Sequence, residues 1–212
     1  MGRPKVFGVG FQKTGTSSLD AALRILGYRT DKGIFINTPN KRSSIFIDPP
    51  LTSEKVLARV LPIAETREAF SDNPWPLLFR EMDARFPGSK FVLTVRDPRE
   101  WIASMVRHFG GVPSDMMHWI YGVPCPLGHE ERCLAIYEAH NASVRAHFAG
   151  RPGDLLELDV TVSSRWDELC TLLGKAIPKD PFPHENPASE RERKRISLWQ
   201  RLKQTGRSAH RA

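Results

Sequence analysis

Residues 5 to 19, Lys-Val-Phe-Gly-Val-Gly-Phe-Gln-Lys-Thr-Gly-Thr-Ser-Ser-Leu, constrain the fold most. The apolar run from Val6 to Val9 reads as a short buried strand. It gives way to Gly10, Lys13, Gly15 and a Thr/Ser cluster, then to a helix from about Thr16 to Leu26 that stops at Gly27. Strand, glycine-bearing loop and helix form the geometry of a phosphate cradle. The first amides of a helix have no partners within it, and the helix dipole adds to their attraction for an anion. Lys13 contributes a full charge, and Thr14, Thr16, Ser17 and Ser18 contribute hydroxyls. Gly10 and Gly15 have the separation of the two glycines in a magnesium-nucleotide loop, G-x-x-x-x-G-K-[ST]. Here Thr16 stands at the lysine position, and the lysine comes three residues earlier, at Lys13. The loop is therefore expected to hold a phosphate without the usual magnesium-nucleotide arrangement.

The rest of the chain alternates between strand and helix patterns. Lys90 to Val95 is a second apolar strand, bounded by turn and cap signals as in a parallel sheet covered on both faces. Asp97-Pro98-Arg99-Glu100 opens a helix to about Phe109, with Asp97 as cap, Pro98 at the first position and Glu100 completing a capping box. Asp154 to Leu158 reads as a third strand. Helices are expected over Ser53 to Thr66 (interrupted by Pro62), Pro76 to Phe86, Glu130 to Ala149, and Ser163 to Leu173. Residues 31 to 50 read as a long connection, 68 to 72 are ambiguous, and 112 to 128 look irregular. This order predicts a single three-layer α/β domain with a mostly parallel central sheet. It spans residues 1–187, and residues 188–212 form a basic C-terminal helix or tail.

Net charge is +7 over 212 residues, with much of the excess in the last 25. That tail carries one aromatic residue, Trp199, so base stacking is poorly provided for and no specific nucleic acid is expected. A polyanionic small molecule suits the charge equally well. No apolar run reaches the length of a membrane span, and the N-terminus lacks a signal-peptide core, so a cytoplasmic location is expected. Cys125, Cys133 and Cys170 lack zinc or disulfide spacing and read as reduced structural residues. No metal ligand set emerges.

A second constellation lies after the Lys90 strand. Arg96 falls at its carboxyl end, the edge where ligands bind in open parallel sheets. Ser104 follows eight residues later. A guanidinium fork matches phosphate oxygens, and a serine adds a short neutral donor.

Together, Lys13-Thr-Gly-Thr-Ser-Ser18 and Arg96-Asp-Pro-Arg-Glu-Trp-Ile-Ala-Ser104 resemble the two donor-binding motifs of sulfotransferases that use 3′-phosphoadenosine 5′-phosphosulfate (PAPS). The resemblance runs from about Val6 to Asn186 and is closest to the small bacterial-type P-loop sulfotransferases. It implies a P-loop NTPase-like fold with PAPS as co-substrate and no required metal. The acceptor would be a small-molecule, lipid or sugar hydroxyl or amine. Gln12, Lys13, Thr14, Gly15, Thr16, Ser17 and Ser18 would hold the 5′-phosphosulfate, and Arg96 with Ser104 the 3′-phosphate. Lys13 would also be catalytic, stabilising the bridging oxygen as its bond breaks.

Asp72, two residues before Pro74, has the position of a histidine base in the cytosolic members. In carbohydrate sulfotransferases a carboxylate does this work. Asp72 is thus either a catalytic base or a turn cap at Asp-Asn-Pro. Ser18 stands where the family often has an adenine-stacking tryptophan, so that contact comes from elsewhere. Lys194 and Arg195 fall on what reads as a solvated helix face. His108 lies one turn beyond Ser104, and the other histidines read as surface or core, as do Trp101, Trp119 and Trp166. The alternatives are a P-loop kinase-type phosphotransferase, with Asp97 or Asp159 organising magnesium, and a catalytically silent nucleotide- or nucleic-acid-binding module. Residues 31 to 50 and 110 to 130 are expected to shape the acceptor site.

Overall fold

Three phenylalanines set the middle of the sheet. In the computed structural model, which describes residues 4–38, 44–160 and 166–184, Phe7 of β1 (Val6–Gly8) lies in register with Phe70 of β5 (Ala69–Ser71) and Phe91 of β6 (Lys90–Thr94). The rings stack at centroid distances of 4.7 and 5.6 Å. All three are fully buried. Adjacent residues point to the opposite face because strand side chains alternate. Val6, Ala69 and Val92 accordingly join a separate apolar cluster on the other side.

Five strands make the main sheet, in the order β2-β5-β1-β6-β7, with every pair parallel. β2 is Thr30–Lys32 and β7 is Leu155–Leu158. The Val6 face is covered by α1 (Thr16–Ile25) and α7 (Trp166–Leu173), through Leu19, Leu23, Trp166 and Leu169. The Phe7 face is covered by α2 (Ser53–Thr66), α3 (Phe79–Arg85) and α6 (Glu130–Phe148), through Val56, Val60, Met82, Val144 and Phe148. Helix, sheet and helix make the three layers. A third cluster, with Phe11, Trp101, Met105, Tyr121 and Tyr137, joins the loop after β1 to α4 (Pro98–Phe109), α5 (Asp115–Tyr121) and α6.

Several local expectations change. The ambiguous 68–72 stretch contains a central strand, and three residues of partner strand on each side are enough to bury it. The 31–50 connection supplies edge strand β2 and a small parallel pair, β3 (Phe35–Ile36) with β4 (Ser44–Ile45). The 112–128 stretch contains α5, capped by Ser114, whose Oγ accepts from the Met117 amide at 3.2 Å. Pro62 does not interrupt α2. Its ring is exposed, and burial of Val56, Val60 and Ala64 offsets the missing N–H. Asp97 caps α4 as expected, accepting from the Arg99 and Glu100 amides at 3.0 Å each. Glu100 does not close a capping box; its carboxylate pairs with Arg96 at 3.1 Å instead. Residues 161–165, which include the expected start of α7, and the basic tail at 188–212, with Lys194 and Arg195, lie outside the described residues. Among the described residues, no helix is long and apolar enough to cross a membrane.

His140 of α6 fastens the exit of β1. Its Nε2 donates to the Val9 carbonyl at 2.7 Å, and its ring stacks on Phe11 at 4.2 Å. Burial lowers its pKa from 6.5 to about 4, against the smaller opposing effect of that hydrogen bond. The unfolded chain therefore binds a proton here that the folded chain refuses. The resulting stability is complete above about pH 6.5 and is lost as pH falls towards about 4. Between pH 7 and pH 5 the loss is about 2 kcal/mol. Denaturant titrations at those two pH values should show this drop in the wild type and a clearly smaller one in His140→Gln. An equal drop in both would remove His140 as the cause.

Candidate active site

The loop from Val9 to Gly15 is built from its buried side. Gly10 passes so close to β6 that a Cβ there would collide with the Thr94 hydroxyl and carbonyl. The Thr14 hydroxyl donates to the Phe11 carbonyl at 2.6 Å and meets the Thr94 hydroxyl at 2.6 Å. The Trp101 indole donates to the Gln12 carbonyl at 2.9 Å. Thr14 is thus a buried brace, and its hydroxyl is committed inward. Lys13 takes φ 72° and Gly15 φ 102°, both left-handed. For lysine that conformation is uncommon and costs on the order of 1–3 kcal/mol. At Gly15 the packing is equally demanding, since a Cβ there would strike Val160 just after β7.

Gly15 is the N-cap of α1, and it has no side chain to satisfy the first amides. The first turn carries no acidic residue either. Ser18 and Leu19 amides reach back to the Gly15 carbonyl at 2.9 and 3.1 Å. The preceding amides, of Thr16 and Ser17, are the ones a helix start leaves for an anion. Lys13 and Ser17 are half-buried at this end, while Thr16 and Ser18 are buried.

The sheet order determines what stands beside the loop. β1 lies between β5 and β6, so the loop is flanked by whatever follows those two strands. After β5 comes Asp72, at φ 69°, again left-handed. The Asn73 amide donates to its Oδ1 at 2.9 Å, and the Thr16 hydroxyl donates to its Oδ2 at 3.3 Å. Sequence reasoning placed Asp72 as base or cap; it does take the Asn73 amide as a turn cap would, and it also touches the helix start directly.

After β6 comes Arg96. Its backbone is hooked by Tyr137 of α6: the hydroxyl accepts from the Arg96 amide at 3.0 Å and donates to the Arg96 carbonyl at 2.9 Å. Its guanidinium holds Glu100 through Nε at 3.2 Å and a terminal nitrogen at 3.1 Å. The Glu100 side chain is 62% exposed, so this pair is weak, about 0.2–1 kcal/mol. Ser104 sits half-buried on α4, and His108 is exposed against the edge of Phe109.

Gln12, expected to help hold the 5′-phosphosulfate, turns its side chain inward to two residues that the sequence reading missed, Asn73 and Tyr121. Gln12 uses its whole amide: Nε2 donates to the Tyr121 hydroxyl at 2.8 Å, and Oε1 accepts from Asn73 Nδ2 at 2.9 Å. Burial raises the Tyr121 pKa far above its usual value, which keeps the phenol neutral. The two stretches expected to shape an acceptor site are tied together, since Asn37 Nδ2 donates to Asp115 Oδ2 at 2.7 Å. Asn-Pro at 73–74 was the available signal for Asn73; nothing local marked Tyr121. Burial pushes the Cys133 thiol up to about 11, which keeps it protonated.

A search among curated proteins finds no match. A family model described as a sulfotransferase domain matches residues 5–127 and 106–191, which takes in the loop, Asp72, Arg96 and Ser104. With more than half of the chain covered, the chain belongs to the sulfotransferase family and is a transferase of sulfuryl groups.

Proposed function

We propose that this sulfotransferase takes its sulfuryl group from PAPS and delivers it to a hydroxyl or amine of a small-molecule, lipid or sugar acceptor. One observation carries the reading: a glycine loop without a Walker lysine is flanked by an acid after one neighbouring strand and an arginine after the other. The acid, Asp72, bonds to the start of α1, and the arginine lies just before the helix that bears Ser104. A donor with phosphates at two ends needs two separated anion sites, and an acceptor needs a proton acceptor near the reacting end.

In this reading the first amides of α1, with Gln12, Thr14, Gly15, Thr16, Ser17 and Ser18 as the loop that presents them, receive the 5′-phosphosulfate. Thr14 contributes through the backbone shape it braces. Arg96 exchanges Glu100 for the 3′-phosphate, and Ser104 adds a neutral donor. Asp72 takes the proton from the acceptor as its oxygen or nitrogen attacks sulfur. The sulfur–oxygen bond to the 5′-phosphate breaks, and Lys13 offsets the charge that collects on the phosphate oxygen. The products are the sulfated acceptor and adenosine 3′,5′-bisphosphate. This scheme draws its positive charge from Lys13, Arg96 and the helix end, and calls on no metal. Three unpaired, buried cysteines suit a reducing compartment such as the cytoplasm.

Calorimetry should detect adenosine 3′,5′-bisphosphate binding to the intact protein. Lys13→Ala and Arg96→Ala should each weaken it roughly 10- to 100-fold, the value of a charge-assisted hydrogen bond. No binding by the wild type would overturn the donor reading.

Asp72→Asn should bind the bisphosphate within about twofold of wild type. Its transfer of radiolabelled sulfur from PAPS, screened over phenols, amines, sugars and lipids, should fall by roughly 10²–10⁴. A variant that transfers at the wild-type rate would reduce Asp72 to a turn cap.

A further inference from the structure

Gln12, Asn73 and Tyr121 form a continuous chain of hydrogen bonds that ends on Asp72. Tyr121 accepts from Gln12 at 2.8 Å, Gln12 accepts from the Asn73 amide group at 2.9 Å, and the Asn73 backbone N–H reaches Asp72 at 2.9 Å. Thr16 closes the far end on the other Asp72 oxygen at 3.3 Å. The chain crosses four separate elements: α5, the loop after β1, the turn after β5, and the start of α1.

The first links are buried and rigid. Gln12 is 4% exposed, and Tyr121 is 0% exposed. The Tyr121 ring is wedged edge-on against Phe11 at 5.7 Å and tilted against Trp101 at 6.2 Å. Trp101 also holds the Gln12 carbonyl at 2.9 Å. Gln12 is therefore fixed at both its backbone and its amide. What it holds is the residue next to Asp72, which sits in the left-handed conformation that aspartate tolerates better than most residues. The turn is held both by the Asn73 side chain on Gln12 and by the Asp72 carboxylate on the Asn73 N–H and the Thr16 hydroxyl.

We propose that Gln12, Asn73 and Tyr121 are positioning residues that hold the Asp72 carboxylate at the reacting end of the site. The inference rests on the reading of Asp72 as the base for transfer from PAPS. It adds a specific role for α5: the helix whose first turn is tied to Asn37 through Asp115 also sets the base through Tyr121. A single wall thereby anchors both the acceptor-side segment and the proton acceptor.

Tyr121→Phe deletes one hydroxyl and keeps the ring packing. Two readouts decide the matter. The first uses the unliganded full-length protein: amide exchange at Asn73, whose N–H is bound to Asp72, should be roughly tenfold faster in Tyr121→Phe at unchanged global stability. The second uses labelled sulfur from PAPS, measured as transfer to the acceptor found by the screen or as release of sulfate to water. Turnover should fall roughly 10- to 100-fold in Tyr121→Phe, with bisphosphate affinity within about twofold of wild type. In the Asp72→Asn background the same change should cost nothing further, because both act through one carboxylate. Asn73→Ala should reproduce the pattern and replaces Tyr121→Phe if the latter fails to fold. Unchanged exchange at Asn73, or losses that multiply in the double variant, would overturn the proposal. Failure of the donor reading is seen separately, as an intact protein that does not bind the bisphosphate.

Discussion

The close passage of the Gly10 backbone over Thr94 is the constraint on which the rest of the site depends. It lets the chain leave β1 without climbing away from the sheet. His140 then holds the Val9 carbonyl, Trp101 the Gln12 carbonyl, and Thr94 the Thr14 hydroxyl. Three contacts grip the loop from below, each to a different element. The left-handed Lys13 is sustained by these contacts, since that conformation costs a lysine energy in a free loop, whereas Gly15 adopts its positive φ without strain. On the opposite face α1 begins with no side-chain cap.

Sheet order extends this local constraint to the two neighbouring strands. Because β1 is central, the carboxyl ends of β5 and β6 bracket its loop, and Asp72 and Arg96 arrive on opposite sides. The phenylalanine ladder of Phe7, Phe70 and Phe91 fixes the register of those three strands. A one-residue slip would turn every ring to the wrong face. Core packing and site geometry are thus set by the same register, which is why a transferase site can be built from strands only three to five residues long.

Legibility followed the range of the interactions involved. Lys13 to Ser18 could be read because a helix start, a glycine loop and a lysine are neighbours in sequence and their physics is local. Asp97 and Pro98 were readable as a helix start for the same reason. Glu100 was misjudged as part of the cap because its carboxylate has a competing partner, Arg96, which lies just before the helix and reaches it at 3.1 Å. β5 was ambiguous because a three-residue strand carries no periodicity of its own; it is a strand by virtue of β1 and β2. α5 was hidden by the prolines and glycines at its ends, and Pro62 looked like a break because the apolar stripe that overrides it counts only after packing.

The amino-acid sequence by itself determined the α/β alternation, the phosphate-type loop with its displaced lysine, and the pair Arg96 and Ser104, since each depends on residues within about two helical turns of one another. Tertiary structure alone decided that Asp72 touches Thr16, that Tyr121 and Asn73 meet on Gln12, and that His140 closes the exit of β1. Those contacts join residues 56, 109, 61 and 131 positions apart. No local pattern encodes such separations. They exist because parallel strands place the loops after β1 and β5 side by side and α5 and α6 pack against the loop after β1.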